Sequence, residues 1–242
     1  MLAALLAVLA AAGCTSVAPA RAGARASASP VGYRVLVFSR TAGFRHASIP
    51  AGIRAVRQLG RDNGFVVDAT EDPAVFNLAG LDRYRVVMFL NTTGDVLDDA
   101  QQTAFEAYIR GGHGFVGVHS AADTEYGWPF YGGLVGAYFA GHPAVQRATV
   151  HLAGGRTVSR VDEWYNFRTR PPADAQVVST VDESTYTGGT MGADHPITWY
   201  RPYQGGRSFY TAQGHTTGSY TEPDFLATLL SGIRYAAGGA LP

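Results

Sequence analysis

Three five-residue stretches, RVLVF (34–38), VVMFL (86–90) and GFVGV (114–118), run without an internal polar residue. A strand with one wet face alternates apolar and polar side chains, so a run that does not alternate is buried on both faces. Only a sheet covered by helices on each side offers that burial, and the intervening segments supply the helices. Ser48 stands where it can cap a helix with Pro50 in its first turn, and Ile53, Val56 and Leu59 form the inward face. A further strand is expected over 65–69. Asp98 followed by Gln101 is a capping-box pattern, Ala104, Phe105, Tyr108 and Ile109 give that helix its apolar face, and Gly111-Gly112 end it. The alternation predicts an α/β fold, a flavodoxin-like three-layer sandwich with a mostly parallel central sheet. Beyond Pro143 the pattern becomes strand-rich, with strands expected over 148–152, 177–181, 197–200 and 208–212. A final helix is expected from Thr221, with Phe225, Leu226, Leu229, Leu230 and Ile233 inward.

The first thirty or so of the 242 residues read differently. Residues 1–12 are Ala, Leu, Val and Met only, too short to span a bilayer but suited to the apolar part of a signal peptide. The run ends at Cys14, the single cysteine, which suggests a lipoprotein cleavage site with Cys14 lipidated; ordinary secretion with cleavage near 22 or 26 is the alternative. The expected organisation is a signal peptide over 1–14, a tether over 15–32 and one domain over 33–238. Export is expected, with the membrane reached only through the lipid anchor. Formal charge is zero, all nineteen basic residues are Arg, and no basic stripe argues for nucleic acid. Oligomeric state is not legible.

In open α/β sheets ligands bind beyond the carboxyl ends of the strands. Those ends carry residues 39–46, 91–95 and 119–128, so three loops from one rim can converge. Two of them hold TAGFRH (41–46) and NTTGD (91–95). The third lies within GFVGVHSAADTEYGWPFYGGLVGAYFAGHP (114–143), and DEWYNF (162–167), HPITWY (195–200) and FYTAQGHT (209–216) follow. In that order these segments resemble the ThuA-like domain family, named for trehalose utilisation, from about Tyr33 to Gly238. The resemblance implies the class I glutamine amidotransferase-like sandwich and a carbohydrate-related role. Relatives usually carry a longer insertion between His151 and DEWYNF; here 152–161 reads as a shortened loop. Glutamine amidotransferases place a nucleophilic Cys at a G-x-C-x-G elbow, whereas this elbow reads Gly117-Val118-His119-Ser120-Ala121. With no cysteine in the domain, a thiolate attack on glutamine is excluded. A triad-like histidine persists as His215, and Ser120 beside the elbow leaves a Ser-His esterase as a minor reading.

Five of the seven histidines, His46, His119, His142, His195 and His215, lie in these segments at strand ends or in loops; His113 and His151 read as structural. Imidazoles suit proton transfer, and together with a carboxylate such as Glu163 or Asp123 they also suit a Zn- or Mn-type shell. No tight His spacing is present, so a divalent metal would be bound across loops, and no cofactor is certain. His119, His215, Glu163 and Asp123 are the catalytic candidates. Carboxylates beside aromatics suit a sugar, whose C–H faces meet rings and whose hydroxyls meet polar groups. On that ground Glu125, Tyr126, Trp128, His142, Trp164, Tyr165 and His195 are expected to bind substrate. Arg45 and His46 before a helix start suit a polar oxygen, and Thr92 and Thr93 an oxyanion cradle. The expectation is an exported protein processing a disaccharide or 3-keto-sugar, with a non-catalytic carbohydrate-binding or scaffold protein as the rival.

Overall fold

A computed structural model describes residues 32–239. The signal-peptide and lipidation expectations, Cys14 included, lie outside these residues. In chain order the strands and helices begin with β1 (Arg34–Phe38), α1 (Ile49–Asn63), β2 (Val66–Thr70), α2 (Leu78–Leu81), β3 (Val86–Leu90), α3 (Asp99–Arg110) and β4 (Gly114–Val118). Then come α4 (Pro129–Val135), β5 (Phe139–Gly141), β6 (Gln146–Leu152), β7 (Thr157–Asp162), β8 (Asn166–Phe167), β9 (Gln176–Asp182), β10 (His195–Tyr203), β11 (Gly206–Thr211) and α5 (Pro223–Ala236).

Nine strands form one sheet in the order β2-β1-β3-β4-β11-β10-β9-β6-β7, and β5 pairs with β8 apart from it. The pairs from β2 through β11 are parallel, and those from β11 through β7 antiparallel. The non-alternating runs have the cause inferred from sequence. Leu36, Phe38, Val87, Phe89 and Phe115 enter one core with Phe105 and Tyr131. Their neighbours Val35, Val37, Met88, Val116 and Val118 enter a second core with Val56, Phe225, Leu229 and Ile233. Gly114 permits closest approach between layers: a Cβ there would stand 2.2 Å from the Ala236 carbonyl oxygen.

Local signals differ in how they were realised. The Asp98–Gln101 capping box forms with both reciprocal bonds. Ser48 makes no side-chain cap; its hydroxyl donates instead to the Gly214 carbonyl at 3.0 Å, tying the start of α1 to the loop after β11. The final helix starts at Pro223 after Glu222, because Thr221 belongs to a preceding 3-10 turn. The expected loop over 152–161 is mostly strand. β7 pairs with β6 along six residues, from Gln146↔Asp162 to His151↔Thr157, around a turn in which Gly154 and Gly155 both take positive φ.

Candidate metal centre

Parallel strands end on one rim, so β1, β3, β4 and β11 deliver the segments after Phe38, Leu90, Val118 and Thr211 to a common edge. Four antiparallel reversals from β11 bring β7 back to the same sense, and its end carries Asp162 and Glu163 to that edge. Two buried side chains hold these segments together. Asn91, at φ 52°, donates to Ser48 Oγ (3.0 Å) and the Gly214 carbonyl (3.2 Å), and accepts from the Tyr220 hydroxyl (3.2 Å). Asp162 accepts from the backbone N–H of Glu163 (2.9 Å), Gly214 (2.9 Å) and His215 (3.0 Å), and from Ser219 Oγ (3.0 Å). One carboxylate therefore orients Glu163 and His215 together. Neither Asn91 nor Asp162 stood among the expected site residues, because most of their partners lie far off in sequence.

His119 occupies the elbow after β4 in the left-handed region, at φ 52°, an uncommon conformation for a side chain of this size. It is held there by its own carbonyl, which accepts from the Tyr210 hydroxyl at 2.8 Å. Its Nδ1 lies 2.7 Å from the Ala212 carbonyl, which can only accept, so Nδ1 carries the proton and Nε2 presents a lone pair when the ring is neutral. That Nε2 is 3.2 Å from His215 Nδ1 and 3.3 Å from Glu163 Oε2, and His215 Nδ1 is 3.1 Å from the same oxygen. His46 completes the group, its ring edge-on to His119 at 4.8 Å and to His215 at 5.1 Å between centroids. One donor atom from each of His46, His119, Glu163 and His215 lies within 4.8 Å of the others.

These separations discriminate between a hydrogen-bonded cluster and a ligand shell. Three lone-pair atoms in a closed triangle of 3.1–3.3 Å have too few protons to bond along every edge. Four ligands about 2.0–2.1 Å from a tetrahedral zinc stand roughly 3.3 Å apart, the size of that triangle. The donor set, three imidazoles and one carboxylate, therefore fits a divalent cation of the Zn or Mn kind. His119 is fully buried and His46 and Glu163 nearly so, while the His215 side chain is 23% exposed, so the group is reached from the His215 side.

Charge within the group follows from burial and proximity. Burial would raise the Glu163 carboxyl, but His119 and His215, donating to it in their protonated forms, hold it well below the usual carboxylate range. The hydrogen bond to Glu163 raises the His215 imidazole against opposing burial. Burial, then the charges of His119 and His215, lower His46 to about 3. Burial also lowers His195. For His46 and His195 the unfolded chain binds the proton more tightly. The stability they contribute is complete above about pH 6.5 and falls below it, by up to about 1.4 kcal/mol per pH unit each. Glu163 acts in the same sense at lower pH, whereas the raised His215 contributes below about pH 6.5 and loses that contribution as pH rises through its folded value. In chelator, the melting temperature should accordingly fall by about 3–6 °C between pH 7 and pH 5. Calorimetry giving equal values would contradict burial of these imidazoles in neutral form.

The other expected site residues divide by location. His142 joins the cluster's rim: its Nδ1 is 3.1 Å from Glu163 Oε1, and the side chain is 40% exposed. Tyr165 lies beside His119 at 4.3 Å between ring centroids, with Phe139 against its other side at 4.4 Å. Asp123 accepts from the Tyr126 hydroxyl at 2.7 Å, and both are half-buried near Phe139, whose carbonyl also accepts from Tyr126. Ser120 is fully buried and faces His46 Nδ1 at 3.3 Å, not His215, which removes the esterase pairing.

Several expected substrate contacts are corrected. Trp128 and Trp164 are core residues whose ring N–H groups donate to Glu106 and to the Gln146 carbonyl. Glu125 is buried and accepts from the Val96 and Leu97 N–H groups and from Gln102, holding the loop before α3. Arg45 points to Glu71 in an exposed two-bond ion pair. His195 stands behind the cluster, against the Tyr165 carbonyl and Glu183. Thr92 pairs with Thr124, and Thr93 clamps the loop after β1. The N–H of Gly94, next to them, is engaged by the Asp123 carbonyl.

The family model for ThuA, trehalose utilisation, matches residues 34–236. The chain belongs to the ThuA family. A ThuA-like protein from Bacteroides uniformis superposes with TM-score 0.71 at 23% identity, over 88% of this chain and 95% of that one. A second, from Parabacteroides merdae, gives 0.71 at 19% identity, over 87% and 91%. A β-galactosidase from Bacillus circulans sp. alkalophilus matches with TM-score 0.56 at 13% identity, over 87% of this chain but 32% of that one. At these identities the three likenesses are likenesses of fold. No curated protein matches the chain.

Proposed function

We propose that this ThuA-family domain processes a disaccharide or 3-keto-sugar at a divalent metal held by His46, His119, Glu163 and His215. The observation that carries the reading is the convergence of four donor atoms within 4.8 Å. Held by these four residues, a zinc- or manganese-type cation would supply Lewis acidity toward a substrate oxygen. The chain's own groups do the rest. The Ala212 carbonyl holds His119 in the tautomer whose Nε2 faces the cluster. Asp162 fixes the backbone of both Glu163 and His215. His142, tied through Nδ1 and open to solvent, is placed to exchange a proton with a sugar hydroxyl at the rim. Asp123 and Tyr126 offer hydrogen-bonding groups farther along the same edge. Sugar as the substrate class rests on the family's association with trehalose utilisation and on this polar and aromatic rim. Export and anchoring through Cys14 belong to the same proposal and rest on the sequence alone.

The test is turnover of trehalose, maltose, sucrose and their 3-keto forms by purified protein, with elemental analysis of the same preparation. One metal per chain is expected, with activity lost to chelator and restored by one cation. Protein that binds no divalent ion would refute the metal centre. Sugar binding without any turnover would refute the enzyme and favour a binding module.

A further inference from the structure

Phe44 is 67% exposed, and it is the one aromatic among the large apolar side chains that face solvent in the described residues. Water exposure of a phenylalanine is unfavourable, and a slack loop would fold the ring inward. This loop is not slack. Thr93 Oγ accepts from the Gly43 N–H at 3.1 Å and donates to the Phe44 carbonyl at 3.0 Å, so one hydroxyl grips the backbone on both sides of the residue. The Ala42 N–H adds a 2.7 Å bond to the Thr93 carbonyl. The ring is also fixed in place, edge-on to His46 at 4.9 Å between centroids and 83° between planes. Phe44 therefore packs directly against one of the four proposed ligands, His46, and is held in water by the loop's own bonds.

We propose that Phe44 is a stacking platform for a second sugar ring, which makes the substrate a glycoside of at least two rings and not a free monosaccharide. The proposal rests on the sugar reading above. A pyranose has an apolar face of C–H groups, and such a face gains dispersion and weak C–H contacts on an aromatic ring. Phe44 and the partly exposed His215 both stand edge-on to His46, at 4.9 and 5.1 Å between centroids, and on that adjacency the second ring of a glycoside entering past His215 is assigned to Phe44. An anionic substituent is not called for on this side, since the neighbouring Arg45 is already paired with Glu71.

The test titrates trehalose, maltose, sucrose and glucose by calorimetry into zinc-loaded wild-type protein and into the Phe44→Ala and Phe44→Trp variants. Disaccharide affinity should fall about 10-fold or more in Phe44→Ala and persist in Phe44→Trp, with glucose affinity unchanged. Zinc affinity should be the same in all three, which shows that the fold and the cluster are intact. Unchanged disaccharide affinity in Phe44→Ala overturns the platform and leaves the sugar reading standing, as does a shift in oligomeric state with no effect on sugar. A wild-type protein that binds none of these sugars overturns both.

Discussion

Glu163→Gln protein is expected to bind zinc about 100–1000-fold more weakly than wild type while keeping its fold. The carboxylate is the one anion among the four donors, and it lies 3.1–3.3 Å from two of the three imidazoles. Structural zinc sites contribute about 10–16 kcal/mol through four ligands, so losing one strong ligand costs roughly 3–4 kcal/mol, or two to three decades. Glutamine keeps the side chain's size and an oxygen that can accept from the neighbouring imidazoles. In chelator, melting should therefore stay within a few degrees of wild type. Added zinc at 100 times its dissociation constant should stabilise wild type by about 2.7 kcal/mol and the variant hardly at all. Equal zinc-induced shifts in the two proteins would show that Glu163 is not a ligand. The companion variant His119→Asn tolerates the left-handed backbone at that position better than alanine does, and should show the same loss.

Asp162→Ala should be the most destabilising single change at this edge, by about 3–5 kcal/mol. The carboxylate is fully buried and satisfies three backbone N–H groups and the Ser219 hydroxyl. Deleting it strands those donors, and each buried donor left unmade costs about 1–3 kcal/mol. Asp162→Asn keeps one acceptor oxygen, so it should fall between the two and remain folded. Because the bonds lead to the N–H groups of Glu163 and His215, the asparagine variant should also lose about 10–100-fold in metal affinity. Chemical unfolding and metal titration on the same protein separate the two effects. A variant with lowered stability but unaltered metal affinity would make Asp162 a structural anchor alone.

Much of the frame was legible because its causes are local. The runs RVLVF, VVMFL and GFVGV declare doubly buried strands, and each is realised over the same five residues. The capping box at Asp98 needs only two side chains three positions apart in one turn. β7 escaped because it is an edge strand that closes a hairpin through two glycines, and half of its residues face outward, so no continuous apolar run announces it. Ser48 was read as a cap on composition, but its hydroxyl was claimed by a carbonyl 166 positions away.

The site was legible by position and not by membership. Residue types marked five histidines and several aromatics, and three of those histidines with Glu163 meet. Composition favoured Trp128 and Trp164 as the surface for a ligand, yet both satisfy their ring N–H inside the core while Phe44 stands in water. Which aromatic faces solvent is settled by what packs against it, and a sequence window does not contain that information.

By itself the sequence determined the layered α/β architecture, the edge of the sheet where chemistry would be presented, and the absence of a thiol from the elbow. Periodicity and residue chemistry suffice for those. Tertiary structure alone decided that His46, His119, Glu163 and His215 share one point. Their convergence depends on strand order, on the reversals that return β7 to the rim, and on Asp162 and Asn91 bonding across more than fifty positions of chain. Donor atoms must agree to within about half an ångström to hold one ion, and only the packed chain sets distances that finely.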